Sequence, residues 1–217
     1  NSLGVASASS GPSEVTTVND VQIPAEVEKI SVRDIVPAEY FEAVEGKYKT
    51  KEEILKATGF TLEKTANAST LQLSGGATIV DDLDEYAALL TYYSDIANQN
   101  LEVSSDEIRA MATGSNTATV WGDGLAAGAN LSWISASVYY DTDSKGNIVR
   151  ITGSTSSLYG FHPGNSWTHD AVATNNSASF SGRSGSISIK GTRTLSIIFE
   201  GIGNITSIPQ SFFMGLG

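Results

Sequence analysis

At 217 residues with 40% hydrophobic side chains, the chain is long enough to bury a core and too apolar for wholesale disorder. A net charge of −11 without clustered Lys and Arg excludes nucleic acid and anionic lipid heads as expected partners. The lack of cysteine excludes disulfides, thiolate metal sites and cysteine nucleophiles.

Charge and composition change together near Ser115. Residues 1–115 carry 19 acidic and 8 basic side chains, whereas 116–217 carry 5 of each and are rich in Gly, Ser and Thr. The break predicts an α+β chain in three stretches: a flexible leader over 1–22, a small acidic helical region with a β-hairpin over 23–115, and an antiparallel β-sandwich or partly open barrel over 116–217. The Ser, Thr, Gly and Val mixture of the leader resembles the stretch that follows a removed export signal. Together with the Ser/Thr-rich second half, it points to a secreted or extracellular protein of bacterial origin. No apolar run approaches the roughly 20 residues of a membrane-spanning helix, so no transmembrane segment is expected.

Beyond the leader, Pro37 sits where a first helical turn tolerates it, ahead of Tyr40, Phe41 and Val44, with Gly46 as the stop. Thr50 and Glu53 form a capping-box pair in front of Ile54 and Leu55, and Gly59 can close that helix in the left-handed conformation. Thr70–Leu73 and Thr78–Val80 flank Gly75 and Gly76, which predicts a hairpin. Leu83, Tyr86, Ala87, Leu90, Tyr93 and Ala97 recur at steps of three and four, a strong helical pattern. Ser104 and Glu107 resemble another cap, predicting a helix that ends at Gly114.

The period then changes to two. Ile134, Ala136, Val138 and Tyr140 alternate with Trp133, Ser135, Ser137 and Tyr139, as a strand with one buried face requires. Asp141 to Asn147 reads as a turn, and strands follow at 148–152, 178–181, 185–190 and 194–200, with Gly182, Gly185 and Gly191 at their turns.

Three groups of residues bear on chemistry. The two histidines, His162 and His169, lie close to Asp170, which suggests a metal site or a hydrolytic triad. Two histidines and one carboxylate fall short of a structural zinc site, and no Gly-x-Ser-x-Gly turn is present, so polar loop residues are the simpler expectation. Asp141, Asp143 and Gly146 echo a calcium loop, but Lys145 and Thr152 occupy positions that need oxygen ligands. Asp81, Asp82, Asp84 and Glu85 stand where negative charge favours a helix N-terminus. No metal or cofactor is expected.

With Ile134 and Val138 facing inward, the pleat turns Trp133 and Tyr139 outward among hydroxyls, a surface suited to stacking on sugar rings or a protein partner. Trp167 is the third candidate ring. The expected function is therefore non-enzymatic binding of an extracellular protein or a glycan, through Trp133, Tyr139, Trp167 and the loop of His162, His169 and Asp170. The alternatives are an extracellular hydrolase using that loop and a membrane-active toxin, whose alternating strands resemble those of 177–205. Strands of five to seven residues weigh against the toxin, because about 9 to 11 are needed to span a bilayer.

Overall fold

The computed structural model describes residues 28–69, 73, 75–99 and 132–217, and the backbone alone of 15–18, 21–24, 102–103, 106–108 and 113–121. Within these residues the chain is mixed α+β, with a curled, half-barrel sheet and few helices.

Two long C-terminal strands organise it. β13 (Ser184–Phe199) and β14 (Ile202–Leu216) pair antiparallel along their whole length and turn tightly at Glu200 and Gly201, both with positive φ. Such a two-residue turn matches the twist of the strands it joins, and glycine adopts its second position without penalty. Short strands border this hairpin on both sides. Along β13 lie β12 (Ser179–Ser181), β11 (Asn165–His169) and β5 (Ala77–Val80), which also pairs with β3 (Lys29–Ser31). Along β14 lie β4 (Thr61–Asn67) and β6 (Glu102–Val103). A second, four-stranded antiparallel sheet contains β7 (Asp106–Ile108), β8 (Thr113–Trp121), β9 (Ser132–Thr142) and β10 (Ile148–Gly160).

One face of the hairpin is buried under two different covers. At the turn end, Leu195, Ile197, Phe199 and Ile208 pack beneath α1 (Ala38–Val44), α2 (Lys51–Thr58) and α3 (Leu83–Ala97). At the open end, Ile187, Ile189, Phe212, Met214 and Leu216 pack against Ile134, Ala136, Val138 and Tyr140 of β9 and Ile148 of β10. Each buried aliphatic or aromatic side chain contributes about 1.5 to 3 kcal/mol relative to exposure. Polar side chains occupy the junction. Arg193, fully buried, donates from Nη1 to Asn165 Oδ1 at 2.8 Å and from Nε to Gln210 Oε1 at 2.9 Å, and its guanidinium lies 5.3 Å from the Tyr93 ring centre.

Local signals explain the helices. Thr50 Oγ1 accepts from Glu53 N at 3.2 Å at the start of α2, and Asp82 Oδ1 accepts from Glu85 N at 2.8 Å at the start of α3. Two more carboxylates there are also employed: Glu85 accepts from Asp81 N and pairs with Arg33 at 2.8 Å, and Asp84 accepts from Gly46 N. A fourth helix, α4 (Ala171–Asn176), lies against the β13 edge, where Thr174 Oγ1 both accepts from Lys190 N and donates to Lys190 O. Ser177 Oγ accepts from Ser188 N in the same way, so two hydroxyls stand in for a neighbouring strand between β11 and β12.

Several expectations are corrected. The helix predicted ahead of Gly114 is absent: Asp106–Ile108 and Thr113–Trp121 are strands, while 104–105 and 109–112 lie outside the described residues. β5 is not half of a hairpin, since both its edges are filled by parallel neighbours, β3 and β13; residues 70–72 lie outside the described residues. Gly191 is no turn but the middle of β13, where a Cβ would come within 2.6 Å of Trp167 Cε2 and Thr168 O. The strand predicted over 148–152 runs on to Gly160, and β13 and β14 have 16 and 15 residues, so strand length does not weigh against a bilayer-spanning reading. Of the expected leader, Val15–Val18 pairs with Val21–Pro24.

Candidate functional site

The outer face of the four-stranded sheet follows from the pleat. β9 alternates strictly, with Ile134, Ala136, Val138 and Tyr140 buried and Trp133, Ser135, Ser137 and Tyr139 on the other side. Its neighbour β10 matches it row by row: Tyr159 opposes Trp133, Ser157 opposes Ser135, Thr155 opposes Ser137 and Gly153 opposes Tyr139. The rings of Trp133 and Tyr159 lie side by side, with centroids 6.3 Å apart and planes inclined by 27°. Tyr159 is 49% exposed and Tyr139 44%, while Trp133 is half-buried. Trp133 and Tyr139 stand six positions apart, roughly 20 Å of strand, with two hydroxyl rows between them. On β9 and β10 these rows contain no charged residue, while the Ser137 row continues through Thr117 of β8 to Asp106 of β7. Tyr159 was not singled out from the sequence; its cross-strand register with Trp133 places it here.

Trp167 is not part of this face. It lies in β11, half-buried against the inner cluster, with its ring over Gly191 and its Nε1–H donating to Ser156 Oγ at 2.8 Å. The stretch containing His162, His169 and Asp170 also divides. His162 lies between β10 and β11 with Nδ1 2.8 Å from Asn165 O. Asp170 caps α4 through Ala173 N at 3.0 Å. His169 ends β11 and meets two serines of β10: Nδ1 is 2.5 Å from Ser156 Oγ, and Nε2 is 2.9 Å from Ser154 Oγ.

Hydrogen bookkeeping fixes the direction of this chain. Ser154 donates its one hydroxyl proton to Asn175 Oδ1 at 2.7 Å, so it accepts from His169 Nε2–H. Neutral imidazole then offers Nδ1 as acceptor for the Ser156 proton, while Ser156 accepts from Trp167. Burial lowers the pKa of His169 below its ordinary range, against the opposing pull of the Asp170 charge. In a hydrolytic triad a carboxylate orients the imidazole; here Ser154 fills that position and the Asp170 carboxylate is occupied as a helix cap. Ser154 and Ser156 were missed from the sequence because serines in an alternating strand resemble a solvent face. The available signal was the two-residue step from Trp167 to His169, which puts both on one face of a strand.

Among the described residues, no group of three or more His, Asp or Glu side chains could hold a metal ion. The segment resembling a calcium loop is a turn closed by Asp143, whose Oδ1 accepts from Lys145 N and Asn147 N at 2.9 Å each. The Asn147 backbone N–H, above all, holds the Asp143 carboxyl below its ordinary pKa. No helix among the described residues is long and apolar enough to cross a membrane.

No protein-family model and no curated protein matches this chain. A solved structure similar to it is a two-domain protein of unknown function from Bacteroides thetaiotaomicron, 15% identical, covering 80% of this chain and 86% of that one with a TM-score of 0.31. That degree of likeness carries no functional weight.

Proposed function

We propose that this chain is a secreted or cell-surface-associated binding protein, without enzymatic activity, that holds a neutral glycan on the outer face of its four-stranded sheet. In this reading the four-stranded sheet and the β13–β14 hairpin beneath it act as a sandwich that presents the face. The stacked pair of Trp133 and Tyr159 carries the proposal. Flat rings offer apolar area at small entropic cost, sugars present apolar C–H faces to such rings, and serine and threonine hydroxyls satisfy the sugar hydroxyls beside them. The absence of charge from the β9 and β10 positions of these rows, with Asp106 in the Ser137 row and a net charge of −11 on the chain, favours a neutral glycan over a polyanion. The separation of Trp133 from Tyr139 suits a linear chain lying along the strand.

The test is a glycan array probed with the wild-type chain and with Trp133→Ala, Tyr159→Ala and Tyr139→Ala. Neutral oligosaccharides are bound, and loss of either ring of the stacked pair weakens binding at least tenfold, about 1.4 kcal/mol. Binding of acidic glycans alone, or binding unchanged in the variants, overturns the reading.

A further inference from the structure

Strand β10 bears the proposed contact residues on one side and the histidine-bound serines on the other. Thr155, Ser157 and Tyr159 are exposed, whereas Ser154 and Ser156 are buried and meet His169. We infer that the neutral imidazole of His169 is a pH-sensitive latch that pins β10, and with it the Tyr159 row, to β11 and α4. Its consequence for ligand binding rests on the function proposed above; the latch itself stands on geometry alone.

Every member of the chain from Trp167 through Ser156, His169 and Ser154 to Asn175 gives or takes a proton in one direction. A cationic imidazole makes both ring nitrogens donors. Nδ1–H would then point at Ser156 Oγ, and the Ser156 proton would lose its acceptor in a buried place. Cross-links from β10 to β11 and α4 run through these same hydroxyls, so the seam between the two sheets weakens when the ring charges.

The nearest charge opposes burial: the Asp170 carboxylate pulls the His169 pKa up, and burial outweighs it. Asp170 adjoins His169 in the chain but serves as the α4 cap, and α4 itself contains no charged residue. Across the ladder, Lys190 adjoins Gly191, the register partner of His169, and Arg193 is the register partner of Trp167. The one charged residue of β10, Arg150, pairs with Asp141. Burial holds the folded-state pKa below the ordinary 6.5, so the unfolded or opened chain takes up the proton first. The latch is intact above about 6.5 and is lost as pH falls from there through the lower midpoint of the folded ring.

Nitrogen-15 NMR of the full chain, titrated from neutral to mildly acidic pH, tests this. At neutral pH His169 shows the Nε2–H tautomer. On acidification the indole resonance of Trp167, assigned with Trp167→Phe, shifts with the midpoint of His169, and hydrogen-exchange protection of residues 154–159, corrected for intrinsic rates, falls roughly tenfold. Ser156→Ala removes the proton that stabilises the neutral ring, so it raises the His169 midpoint. An Nδ1–H tautomer, a constant Trp167 signal through the His169 titration, or an unmoved midpoint in Ser156→Ala overturns the latch. Should these signals appear while Trp133→Ala still binds the array-selected glycan, the proposed function falls and the latch stands. Glycan affinity equal above and below the transition removes the link between them.

Discussion

The two ends of the β13–β14 hairpin solve one problem differently. Both bury the same face of the same two strands, yet the turn end is sealed by helices and the open end by a second sheet. The helical cover spends its polar residues on caps at Thr50 and Asp82 and on the pair that ties Arg33 to Glu85 of α3. Its interior is left to Tyr86, Leu89, Leu90 and Ile54. The sheet cover sends serines inward, and its seam is held by side-chain hydrogen bonds between the consecutive strands β10 and β11. A helix turns one stripe inward and hides its backbone polar groups within itself. A sheet turns alternate residues to each side, so its second face remains available for binding. The difference locates the proposed ligand surface on the sheet end.

Substitutions at the two ends separate them. Leu90→Ala in α3 has the largest expected effect, a loss of about 2 to 5 kcal/mol in urea unfolding, because a fully buried side chain is emptied into a packed interior. An equal loss from Leu90→Ala and from the exposed Val172→Ala would contradict the helical cover. Gly191→Ala at the junction costs about 1 to 3 kcal/mol, since the new methyl collides with the Trp167 ring and with backbone. Trp167→Ala relieves that collision, so the double substitution is less destabilised than the sum of the two; strict additivity would contradict the contact. Asp82→Ala removes the α3 cap at a cost of about 0.5 to 2 kcal/mol. Acidification below about 6.5 weakens the sheet end through His169, and a His169→Gln variant flattens the pH dependence of stability in that range. Trp133→Ala, which removes a half-buried ring stacked on Tyr159, costs about 0.5 to 1.5 kcal/mol.

Legibility divided along the same line. The helices could be read because their signals are local: a cap at Thr50, a stop at Gly59 and an apolar stripe from Leu83 to Ala97. The alternation of β9 was equally clear, and it placed Trp133 and Tyr139 opposite the buried Ile134 and Val138. Pairing across distance was not legible. Ala77–Val80 reads as half of a hairpin by its glycines, but its partners are β3 and β13, more than a hundred residues apart from each other. Gly191 imitates a turn because its reason for being glycine, the Trp167 ring, comes from another strand. Arg193 keeps step with Leu195, Ile197 and Phe199 on the buried face, but it falls between the strands predicted over 185–190 and 194–200, so its burial was not legible. Ser104 and Glu107 imitate a helix cap, yet Asp106–Ile108 joins a ladder with β8.

The most direct measurement is titration calorimetry of a neutral oligosaccharide selected on the array, using wild-type protein and the double variant Trp133→Ala, Tyr159→Ala, with thermal unfolding of both. A melting curve close to that of the wild type together with binding weakened by at least tenfold, about 1.4 kcal/mol, is the predicted result. Undiminished affinity in a variant that remains folded would place recognition elsewhere on the molecule.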